Sequence, residues 1–128
     1  MDRGILVKED IEAGRNFLAE LDAAGERVSA AFWLYDSEEN EWKLVLARES
    51  SAKSAVDDYL VVVRLLNKNP AIKERLTNSD IRLKRPNDPL VTGLSRRMPG
   101  VTPAQVQRWA GPVNGVMLDD VVIYRTAA

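Results

Sequence analysis

Apolar residues recur at helical spacing over Lys8–Ala24, where Ile11, Gly14, Leu18 and Leu21, with Phe17 beside them, oppose Glu9, Glu12, Arg15, Glu20 and Asp22. Gly25 follows the last periodic residue and suits a left-handed helix cap. The acids Glu9 and Asp10 complement the dipole of the first turn. The pattern then changes to strand-like. Arg27–Asp36 carries Val28, Phe32, Trp33, Leu34 and Tyr35, residue types that fit a pleated surface. After the polar turn 36–40, Trp42, Leu44 and Leu46 alternate with their neighbours over Trp42–Ala47, which predicts an antiparallel hairpin.

A second helix is predicted over Ala52–Lys68, capped by Ser51 or Ser54, since Ser54-x-x-Asp57 fits a capping box. Its stripe is Val56, Tyr59, Leu60, Val63 and Leu66, widened by Val61, Val62 and Leu65, so cover on more than one side is expected. Asn69-Pro70 ends it. A short helical turn at Ala71–Leu76 and a strand at Ser79–Lys84 follow. Asp88 with Pro89 then opens a helix over Leu90–Arg97, with Leu90, Leu94 and Met98 inward.

Within Val101–Ala110, Thr102-Pro103-x-Gln105 suits a helix start, whereas the turn signal 111–115, ending in Asn-Gly, favours a strand before it. The strand is the preferred reading. Val116–Arg125 is the clearest strand: Val116, Leu118, Val122 and Tyr124 are expected on one face, Met117, Val121 and Ile123 on the other. The order α-β-β-α-β-α-β-β predicts a single α+β domain. Its mainly antiparallel sheet of about five strands would carry two or three helices on one face.

The length of 128 residues suits one domain. Cysteine and histidine are both absent. Disulfides, thiolate metal sites, Ser–His or Cys–His nucleophiles and His-bound zinc are therefore excluded. No signal-peptide core and no run long enough for a membrane span appears, so a cytoplasmic chain without a membrane partner is expected. No cofactor, metal or catalytic residue is assigned.

Charge is uneven. Residues 1–60 hold 14 acidic and 7 basic side chains, residues 61–128 hold 5 and 11. The basic half contains the candidate binding set Arg82, Lys84, Arg85, Arg96, Arg97 and Arg108, with Trp109. Cations beside an exposed aromatic suit a phosphate backbone and a stacked base. Against this, no nucleic-acid motif is present, the sequence pI is about 5.5, and the same arginines can answer the acidic half within the fold. Arg108-Trp109 is the expected exposed pair.

Carboxylates give weaker signals. Asp36, Glu38, Glu39 and Glu41 cluster in the hairpin turn but match no calcium loop. Glu41-x-Lys43 is similar to the Glu-x-Lys element of restriction-type nuclease cores, which implies a metal-dependent site needing a second acid from a neighbouring strand; Asp36 and Asp22 are poorly placed for it, and Asp120 with Glu41 is the candidate pair for a carboxylate-based site. Asp119-Asp120 interrupts the most apolar strand. A bulge, an exposed end or a basic partner is expected there.

The phrases Ala31-Phe32-Trp33-Leu34-Tyr35, Glu41-Trp42-Lys43-Leu44-Val45, Asn114-Gly115-Val116 and Ile123-Tyr124-Arg125 resemble segments of small bacterial proteins. The resemblance implies a bacterial origin and carries no functional residue. The leading expectation is a non-enzymatic protein acting through a protein partner or self-association. A nucleic-acid module is the alternative, and a carboxylate-based metal-dependent hydrolase or nuclease is the third reading.

Overall fold

A computed structural model describes residues 4–49 and 54–127. Helix α1 spans Lys8–Ala23, strands β1 and β2 span Val28–Asp36 and Glu41–Arg48, and helices α2 and α3 span Ala55–Asn67 and Pro70–Lys73. Strand β3 (Ile81–Lys84), helix α4 (Pro89–Arg97) and strands β4 (Gln107–Val113) and β5 (Val116–Arg125) follow. The result is an α+β fold, with five strands in the order β3-β2-β1-β5-β4. All neighbours are antiparallel except β2 and β3, which run parallel through the α2–α3 crossover. The sheet is therefore mixed.

Local chemistry sets most boundaries. Asp10 accepts a hydrogen bond from the Val7 amide at the start of α1, and Gly25 takes a φ of +77° just past its end. Ser54 accepts from the Asp57 amide at the start of α2. The alternative cap Ser51 and the expected first residue Ala52 lie outside the described residues. Asp88 accepts from the Leu90 amide with Pro89 in the first turn of α4. Asn114 and Gly115 both have positive φ, 49° and 79°, as a tight primed hairpin turn requires.

Helices cover both faces of the sheet, not one. On the first face Phe17, Leu18 and Leu21 of α1, Val62 and Leu66 of α2, and Ile72 and Leu76 pack on Trp33, Leu44, Leu46, Val122 and Tyr124. On the second, Val91 and Leu94 of α4 pack on Phe32, Val45, Val113, Val121 and Ile123. The cause is the strands themselves. β1, β2 and β5 are apolar on both sides, and a single helical layer would leave one side in water.

Three expectations need correction. Among the described side chains of α2 the buried ones are Val62 and Leu66 with Asp58, while Val56 and Leu60 of the expected stripe are exposed. Only one side of that helix meets the sheet. In β5, Leu118 shares a face with Val121 and Ile123. Ladder pairing shifts between Trp109↔Val121 and Gly111↔Leu118, placing two β5 residues, Asp119 and Asp120, against Ala110. That bulge reverses the side-chain alternation. Finally, the predicted turn 111–115 shrinks to Asn114-Gly115, because β4 runs on through Gly111 and Pro112. Residues 103–105 form one 3-10 turn before β4, so both signals in that stretch were used in succession.

Candidate functional site

The sheet separates the expected basic set. Arg82, Lys84 and Arg85 lie on or just after edge strand β3, whereas Arg108 and Trp109 lie on the opposite edge strand β4. Four strand spacings, about 19 Å, intervene. Arg96 and Arg97 end α4. Arg108 and Trp109 themselves point to opposite faces. Arg108 is exposed and forms a two-pronged bond to Asp120, with Nε–Oδ1 3.0 Å and Nη2–Oδ2 2.9 Å. That bond raises the guanidinium pKa above its ordinary value. Trp109 is half-buried against the second core cluster, so the two do not form an exposed pair. The Arg108–Asp120 bond spans an open surface, and a double-mutant cycle on Arg108→Ala and Asp120→Ala should give a coupling of about 1 kcal/mol or less in urea denaturation.

Other cations answer the acidic half. Arg82 lies 3.4 Å from Glu39, Arg75 3.8 Å from Asp10, and Arg125 bonds Asp22 at 3.0 and 2.7 Å. Among the described residues, no carboxylate lies within ion-pair distance of Lys84, Arg85, Arg96 or Arg97.

The two acids expected to converge, Glu41 and Asp120, stay apart. Glu41 and Glu39 hold the buried Lys43 ammonium at 2.9 and 3.3 Å, raising its pKa, and the same ammonium donates to the Ser79 carbonyl. Asp36 is used up by its own turn, accepting from the Glu38 and Glu39 amides. Strand alternation puts Glu41 on the α4 side with Val45, and Asp120 on the other side with Val122. Among the described residues, no group of three or more acids is placed to hold a metal ion, and no helix is long and apolar enough to cross a membrane.

A different site forms at one end of the sheet. The β1–β2 register sets Val28 opposite Arg48, and β3 ends at the same level because Ala47 pairs with Lys84. The chain enters β1 through Gly25-Glu26-Arg27 and leaves β3 through Arg85-Pro86-Asn87. Between these segments lies an open cleft of about 880 Å³, lined by Glu26, Arg27, Arg48, Glu49, Arg85 and Asn87 with Gly25 and Pro86. A second hollow of about 530 Å³, bordered by Asp22, Val28 and Ser29, shares Arg27, Glu49 and Pro86 with it.

Arg48 is the unusual member, at 4% exposed. Its Nη2 donates to Glu26 Oε2 at 2.6 Å. Its Nε lies 3.1 Å from Oδ1 of Asp58, in the first turn of α2, but at an angle that makes no hydrogen bond. Nη1 meets no acceptor among the described residues. A buried donor of this kind is rare, and one on a cation is costly. Three guanidinium groups thus line the cleft, and only Arg85 belonged to the expected set. Arg48 was missed because the predicted strand stopped at Ala47. The signal that finds it is the hairpin register, which carries the chain on to face Val28.

No protein-family model, curated protein or solved structure matches the chain.

Proposed function

We propose that this chain is a non-enzymatic, cytoplasmic interaction protein that recognises its partner through an anionic group held in the Arg27–Arg48–Arg85 cleft. The observation that carries the reading is Arg48, a buried guanidinium lining an open cleft with two nitrogens, Nε and Nη1, that make no hydrogen bond among the described residues. Glu26 and Asp58 hold its position, so the side chain loses little further entropy when an anion binds in the cleft it lines. Arg27 and Arg85, exposed and without ion-pair partners among the described residues, supply further donors. Guanidinium groups suit phosphate and carboxylate oxygens because their paired N–H donors match the geometry.

Titration of the full chain with inorganic phosphate at low ionic strength, followed by amide chemical shifts, should show saturable binding at the cleft. Arg27→Gln and Arg85→Gln should each weaken it by about threefold to tenfold, while Lys73→Gln on α3 leaves it unchanged. Absence of saturation in the unsubstituted chain overturns the reading. Steeply salt-dependent binding of a single-stranded oligonucleotide, lost in Arg96→Glu/Arg97→Glu, would replace it with the nucleic-acid alternative.

A further inference from the structure

We infer that the cleft takes a zwitterion, an anionic head joined by a short linker to an ammonium group. This rests on the anion-binding reading above and deepens it. The charge along the wall changes sign. Arg48 and Arg85 line only the larger hollow with Glu26, which is bonded to Arg48; Arg27 and Glu49 stand where the two hollows meet, and Asp22 borders only the smaller one. Asp22 is already neutralised by its two bonds to Arg125. Glu49 is not. Continuing the β1–β2 register sets it opposite Arg27, yet among the described residues neither forms an ion pair with the other or with anything else. Opposite charges on facing strand positions ordinarily attract. Here both remain free at the mouth of a hollow that already contains a buried, incompletely bonded cation.

A simple anion seated against Arg48 and Arg85 would feel Glu49 as a repulsive neighbour inside the screening length of about 10 Å. An ammonium on the same molecule converts that repulsion into attraction. Pro86 and Val28, in the wall of the smaller hollow, offer apolar surface to a short methylene linker. Among the described residues, neither hollow is lined by an aromatic ring, so a stacked base or sugar has no platform there. A phosphate monoester and a carboxylate both satisfy the anionic end, and paired probes separate them.

The test titrates the full chain near neutral pH with O-phosphoethanolamine against ethyl phosphate, and with β-alanine against propionate. The amine-bearing member of at least one pair should bind about fivefold more tightly than its amine-free analogue. Glu49→Gln should abolish that preference while leaving the amine-free anion bound at least as well. Arg85→Gln should weaken both members of the pair. Whichever pair shows the preference identifies the head group. Equal binding within both pairs, or a preference that survives Glu49→Gln, overturns this inference and leaves the anion-binding reading standing. Failure of all four probes to saturate overturns both.

Discussion

Gly14→Ala is expected to destabilise the fold by about 3 kcal/mol, although alanine is the better helix former by about 1 kcal/mol. The added methyl on α1 would overlap the Tyr124 hydroxyl and lie 3.0 Å from Trp33 Nε1. Neither ring can retreat, since both are fully buried. They are also tied together: Trp33 Nε1 donates to the Tyr124 hydroxyl at 2.7 Å, and that hydroxyl donates to the Ile11 carbonyl at 2.6 Å. Overpacking costs about 1–3 kcal/mol, and each displaced buried hydrogen bond about 1–3 kcal/mol more. Urea denaturation gives the sign directly. Tyr124→Phe alone should cost about 1–3 kcal/mol by removing the acceptor of the buried indole N–H. In the double variant the missing hydroxyl makes room for the methyl, so the two losses should fall short of their sum.

The same tyrosine gives an alkaline signature. Burial raises its pKa well above the ordinary value. The neutral phenol is favoured in the folded state, so its contribution is complete below the unfolded pKa of about 10 and is lost as pH climbs towards the folded value. Tyr124→Phe should flatten that decline.

What the sequence disclosed was local. The hairpin Arg27–Ala47 was readable because Trp33, Leu44 and Leu46 alternate around a polar turn. Ser54 and Asp88 announced their helices because a cap needs only its own next turn. Two acids breaking an apolar strand left a bulge, an exposed end or a basic partner open, and the structure has both the bulge and a basic partner for Asp120. Long-range features were not readable. The parallel pairing of β3 depends on how the crossover through α2 and α3 closes, and four residues such as Ile81–Lys84 carry no mark of direction. The placement of α4 on the second face follows from the two-sided apolarity of β1, β2 and β5 taken together. Arg85 looked like one of a scattered basic set. It acquires meaning beside Arg27 and Arg48, which the chain places more than 30 residues away and only the sheet brings near.

Arg48→Met is expected to lose about 3 kcal/mol in urea denaturation, although methionine fills much of the same volume. The side chain sits between Glu26 and Asp58, the latter itself buried. Removing the cation strands the Asp58 carboxylate under α2, and an uncompensated buried charge is the expensive outcome, at about 3–5 kcal/mol. Replacing both partners distinguishes this cause from lost packing. Arg48→Met/Asp58→Leu should recover most of the stability, since a buried ion pair and an apolar pair of similar size are often nearly equivalent. It should not recover phosphate binding, because the donor is gone. Asp58→Asn separates the two properties from the other side. It leaves Arg48 in place with one fewer carboxylate against it, so stability should fall while phosphate affinity rises. A cation held only to stabilise the sheet end would show no such opposition. Opposed changes in the two measurements are expected if Arg48 is kept partly unbonded in order to receive an anion.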